Sequence, residues 1–139
     1  MWLVGTSRGT ITAASVAARL GPGQVTGLVL TSTIWPDVLR LVSLDRIAVP
    51  ALLLHNRDDA YRESPFGSTE TGLAALSHAP VRQIIVVASV MSRSSPCETL
   101  SPHGYYGIED RGGADCRRDP GAVSWLAYVA VDAHQSACD

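Results

Sequence analysis

The chain has 139 residues, 46% hydrophobic and 17% charged, which fits one buried core and excludes both a disordered chain and two domains of ordinary size. Eleven Lys and Arg against thirteen Asp and Glu give a formal charge of −2 with no block of like charge, which argues against a nucleic-acid or polybasic membrane surface. No stretch approaches the roughly 18 consecutive apolar residues that a membrane span needs.

Trp2-Leu3-Val4 is a short apolar run closed by Gly5 and predicts a buried strand. From Arg8 to Leu20 the sequence is rich in alanine and free of proline. That predicts a helix lying close to a sheet, with Gly21-Pro22 as its stop. Val25 to Thr31 predicts a second strand, and Pro36 to Leu44 a short helix. Val49 to His55 predicts a third strand with its proline near the start. A turn-rich stretch from Asn56 to Ser68 leads to a helix over Thr69–Ser77, then a fourth strand over Val81–Val90. Ser92–Pro102 is a polar loop, residues 110–121 predict a flexible loop, and Ala122–Ala133 can form a closing helix. Apolar strands alternating with helices imply an open, mostly parallel α/β sheet of about four strands with helices on both faces. Crossover handedness makes those strands neighbours in sequence order. The first strand would then be an edge, through which the chain could self-associate.

Three pieces of the chain carry chemistry. Gly5-Thr6-Ser7-Arg8-Gly9 has the pattern G-x-S-x-G between a strand and a helix, which is how a nucleophilic serine is held on a sharp turn. The two glycines are expected to make room where the turn brings backbone and side chains together. The same turn could also be a simple connection, or a phosphate-binding turn of a flavodoxin-like module. It lacks a P-loop lysine and the G-x-G-x-x-G spacing. Asp58 and Asp59 follow the third strand, so a carboxylate there would share the serine's edge of a parallel sheet; Asp59 is favoured and Asp58 is the alternative. His103 follows the fourth strand and could act as base and then acid. His55 reads as packed or capping a strand end, His78 as a residue near a helix end and His134 as part of the tail. The backbone amide of Arg8 is the expected oxyanion donor, and its side chain could hold an anion or pair with Glu63 or Glu109. Cys97, Cys116 and Cys138 lack metal-ligand spacing; three free thiols are the simpler reading, and one disulfide with a leftover thiol is the other. No metal and no cofactor is expected.

With the segments WLVGTSRGT (2–10), VPALLLHNRDDAYRESP (49–65) and PCETLSPHGYYGIED (96–110) in this order, the chain resembles the carboxyl-terminal half of a bacterial α/β-hydrolase. The resemblance implies a serine hydrolase with Ser7 as nucleophile, Asp59 as acid and His103 as base, acting on a small-molecule ester or amide. It also implies that the front half of such a domain, with the second oxyanion donor, is missing. Tyr61 stands where relatives often have a cysteine, which leaves Cys97 without that partner and excludes a disulfide between these two loops. A catalytically impaired remnant acting as a structural or self-associating domain is the alternative. The compartment would be cytoplasmic for a complete chain, and periplasmic or secreted if a leader has been lost.

Overall fold

The computed structural model describes residues 1–88 and 91–107. The flexible loop expected over 110–121, the closing helix over 122–133, His134 and Glu109 lie outside the described residues. Strand β1 (Trp2–Thr6) runs into helix α1 (Gly9–Leu20), followed by β2 (Gly27–Thr31), α2 (Trp35–Leu41), β3 (Ala51–Asn56), α3 (Thr69–Ala75) and β4 (Arg82–Val87). Short 3₁₀ turns occupy Leu44–Arg46, Phe66–Ser68 and Pro102–Gly104.

β1, β2 and β3 form an open parallel sheet with helices packed on it, an α/β arrangement, and β4 pairs in parallel with the outer side of β3. The register sets Leu3 beside Leu28, Gly5 beside Leu30, Leu30 beside Leu53 and Leu53 beside Ile84. Those side chains therefore share one face. Ala13, Ala14 and Ala17 of α1 are buried in the same cluster as Leu28, Leu30 and Leu53, together with Trp35, Val38 and Leu76. Small side chains on α1 let its backbone lie near the sheet, which is the reason for the alanine-rich sequence. Among the described residues all three α-helices join this one face. The second helical layer that the sequence suggests would need the closing helix over 122–133, which lies outside the described residues.

β2 is buried at every position, as its unbroken apolar run requires. β1 differs: Val4 is 47% exposed although its sequence is as apolar as that of β2. Position in the sheet makes the difference, since β1 stands at one end of the strand order. The second helix is shorter than the sequence suggests. It stops at Leu41, Val42 turns extended, and a separate 3₁₀ turn buries Leu44. Every parallel strand ends at the same rim, so the residues after β1, β2 and β3 converge there.

Candidate active site

Ser7 follows β1 directly, and its backbone adopts φ 51, a left-handed value rare for a residue with a side chain. The Ser7 amide donates to the Thr31 carbonyl at 3.0 Å, which ties the turn to the end of β2. On the other side, the Thr10 amide and hydroxyl both donate to the Ser7 carbonyl, at 3.0 and 2.5 Å. The chain thus reverses into α1 within two residues. The two glycines of the turn are not equivalent. A Cβ on Gly5 would meet the Gly9 carbonyl at 2.6 Å and Ala13 at 2.8 Å, whereas a Cβ on Gly9 meets nothing within 4 Å. The expectation that both glycines make room is corrected: Gly5 faces α1 across the turn, while Gly9 opens α1 with its bare side outward.

His103 lies on the 3₁₀ turn Pro102–Gly104 and is 4% exposed. Its Nε2 is 3.0 Å from Ser7 Oγ, and its Nδ1 is 2.8 Å from Asp59 Oδ2. A carboxylate only accepts, so Nδ1 carries the ring proton and Nε2 offers its lone pair to the Ser7 hydroxyl, which donates. The arrangement links residues 96 and 44 positions apart in the chain. Asp59 is oriented further by the Tyr61 amide, which donates to its other oxygen, Oδ1, at 2.9 Å.

Of the two aspartates the fold brings Asp59 inward and leaves Asp58 at the surface, where Arg57 lies 3.8 Å from it. Asn56 sorts them. Its side-chain oxygen accepts from the Asp58 amide at 3.0 Å, and its backbone carbonyl accepts from the Asp59 amide at 3.2 Å. That Asx turn at the end of β3 sets which carboxylate faces His103. Arg8 is the residue preceding the first turn of α1, so its backbone lies beside Ser7 at a helix N-terminus. Glu63 pairs with Arg62 at 2.8 Å.

His55 lies on the far side of Asp59. Its Nε2 donates to the Ser64 carbonyl at 3.0 Å and is 3.8 Å from Asp59 Oδ2. Burial lowers its pKa from the ordinary histidine value of 6.5, and the Ser64 carbonyl and the nearby Asp59 charge only partly oppose that. A neutral His55 keeps its second nitrogen, Nδ1, buried and without a hydrogen-bond partner among the described residues. Its burial favours the packed reading over the capping one, and its place against the carboxylate was not foreseen. Tyr61 sets its ring edge-on to the His103 imidazole, with centroids 4.9 Å apart. His78 is exposed and donates from Nδ1 to the Asp45 carbonyl at 2.6 Å, away from the site.

Cys97 is disulfide-bonded, which corrects the reading of three free thiols. An odd cysteine count and irregular spacing do not report which segments a fold brings within bonding distance. Among the described residues no group of three or more His, Cys, Asp or Glu could hold a metal ion, and no helix is long and apolar enough to cross a membrane.

Comparison with known proteins gives no matching family model, no matching curated protein and no matching solved structure. The chemistry of these side chains therefore carries the functional reading.

Proposed function

We propose that the chain is a serine hydrolase of α/β-hydrolase type, with β1–β4 as the carboxyl-terminal part of that sheet, cleaving small-molecule esters and, secondarily, amides. One observation carries this reading: a hydroxyl, an imidazole and a carboxylate in hydrogen-bond sequence, Ser7 Oγ to His103 Nε2 and His103 Nδ1 to Asp59 Oδ2. Ser7 Oγ attacks the acyl carbon as its proton passes to His103 Nε2, and Asp59 stabilises the imidazolium that forms. The tetrahedral oxyanion turns toward the Arg8 amide at the start of α1. His103 then returns its proton to the departing alcohol or amine as the acyl C–O or C–N bond breaks, which leaves the acyl group on Ser7. A water, deprotonated by His103, attacks that acyl-enzyme, and His103 returns the proton to Ser7 Oγ as its bond to the acyl carbon breaks, releasing the acid and restoring the hydroxyl. Residues 32–50 hold only α2 and a 3₁₀ turn and so insert no cap between β2 and β3.

A fluorophosphonate probe tests the proposal. Wild-type protein is expected to label at Ser7, and Ser7→Ala to remain unlabelled. A folded wild type that stays unlabelled overturns the reading. The exposed Val4 and the terminal place of β1 in the strand order favour a second reading, an impaired, self-associating domain. That reading expects concentration-dependent sedimentation together with absent labelling.

A further inference from the structure

His103 sits on neither a helix nor a strand of the sheet, yet its ring meets two partners within 3.0 Å. Something must hold its loop, since a loop free to shift by an ångström would break both bonds. Four hydrogen bonds from outside the loop do so, and all come from Ser32 just after β2 or from β3. The Ser32 hydroxyl donates to the backbone carbonyl of His103 itself at 2.6 Å. The Asn56 side-chain amide donates to the neighbouring Pro102 carbonyl at 3.0 Å. The Tyr105 hydroxyl donates to the Leu54 carbonyl at 2.7 Å and accepts from the Ser32 amide at 3.2 Å.

Ser32 is fully buried and holds φ 45, and Tyr105 holds φ 60, so two side-chain-bearing residues take left-handed backbone on either side of this contact. Such backbone costs on the order of 1 kcal/mol per residue and persists where surrounding bonds fix it. A fold that needed only the turn would be served by glycine at position 32. The hydroxyl is what serine adds, and it goes to the histidine's own carbonyl.

We infer that Ser32 and Asn56 are positioning residues: they clamp successive carbonyls of the histidine loop to the sheet rim and thereby set the height and tautomer of the His103 imidazole against Ser7 and Asp59. This inference rests on the hydrolase reading for its effect on rate. Its structural content stands without it. Neither residue touches the reacting atoms, so each acts through His103. Asn56 does two tasks with one side chain, its oxygen selecting Asp59 over Asp58 and its amide holding Pro102.

The test uses the full chain and two readouts. Ser32→Gly removes the hydroxyl while easing the left-handed backbone; Asn56→Ser removes the reach to Pro102 while a hydroxyl can still close the turn on the Asp58 amide. Saturation kinetics of fluorophosphonate labelling should show a maximal rate about 10- to 100-fold slower in each variant, with the half-saturating probe concentration nearly unchanged. Long-range ¹H–¹⁵N spectra of the histidine rings should show His103 fixed in the Nδ1–H tautomer in wild type and averaged between tautomers in the variants. A purely structural role would lower the melting temperature and leave the tautomer of the folded protein alone. Unchanged labelling and an unchanged tautomer in a folded variant overturn the inference. If wild type does not label at all, the hydrolase reading fails, and the tautomer comparison still decides whether Ser32 and Asn56 position the ring. Should Ser32→Gly not fold, Asn56→Ser carries the same two measurements.

Discussion

The serine turn and the histidine loop meet at one hydrogen bond and are built in opposite ways. Ser7 stands between β1 and α1, elements adjacent in sequence, and its geometry follows from a tight reversal with Gly5 under Ala13. His103 stands on a three-residue 3₁₀ turn whose fixed points, Ser32 and Asn56, lie 71 residues from His103 and 46 from Pro102. Ser7 is placed mainly by the tight reversal into α1, with one bond to the end of β2, and His103 by long-range side-chain bonds. The contrast teaches where each will fail. A substitution in the turn strains backbone directly, whereas a substitution at the rim leaves the elements intact and lets the loop drift.

The largest effect should come from breaking the meeting point itself. His103→Ala removes the proton acceptor, and fluorophosphonate labelling or hydrolysis of a p-nitrophenyl ester should fall by on the order of 10⁴–10⁶-fold. Next comes the acid. Asp59→Asn should cost about 10⁴-fold in kcat, because an amide can present its N–H to Nδ1 and favour the wrong tautomer. Asp58→Asn, at the surface beside Arg57, should change kcat by less than about twofold, as expected of a surface position. Equal losses in the two variants would show that the Asx turn at Asn56 does not sort the carboxylates.

The serine turn is broken by the glycine that is enclosed. Gly5→Ala places a methyl against the Gly9 carbonyl and Ala13 and should destabilise by about 1–3 kcal/mol in urea unfolding, or prevent folding. Gly9→Ala meets open space and has no left-handed backbone, so it should be neutral or stabilise by about 0.4–1 kcal/mol. A smaller effect sharpens the strain at the nucleophile: Ser7→Gly should stabilise the fold by about 1 kcal/mol while abolishing labelling. A Ser7→Gly protein that melts lower than wild type would contradict stored strain at that residue.

The smallest effect concerns the carboxylate's other neighbour. His55 has a folded-state pKa below its ordinary 6.5, so above pH 6.5 it is neutral in both states and its contribution to stability is complete. As pH falls below 6.5 the unfolded chain takes up a proton that the buried ring resists, and stability drops toward the folded pKa. Thermal melts of wild type should therefore fall more steeply below pH 6.5 than those of His55→Gln, which keeps a donor for the Ser64 carbonyl. Parallel curves would remove His55 from the acid response.

Much of this arrangement was readable in advance, and the reason is locality. An apolar run before Gly5, an alanine-rich run after it and the order Ser7, Asp59, His103 each follow from spacing or from neighbours within a few residues. The unbroken apolar run of β2 correctly announced a strand buried at every position. The same rule misjudged β1, because burial of an end strand depends on what lies beside it and not on its own side chains. The reading of Gly9 failed in a similar way: its motif position matches that of Gly5, and only the path of α1 shows that one is enclosed and the other open.

By itself, then, the sequence determined the alternation of strands and helices, the sharp turn at Ser7 and the identity of the three groups that could react. Tertiary structure decided which of two adjacent aspartates turns inward, which glycine is indispensable and how a histidine on a short loop is held still. Ser32 and Asn56 carry no local signal for that work. A serine after a strand and an asparagine in a turn are ordinary residues until the chain closes on itself and brings the carbonyls of Pro102 and His103 within reach of their donors. Hydrogen bonding of this kind depends on positions in space that no stretch of neighbouring residues encodes.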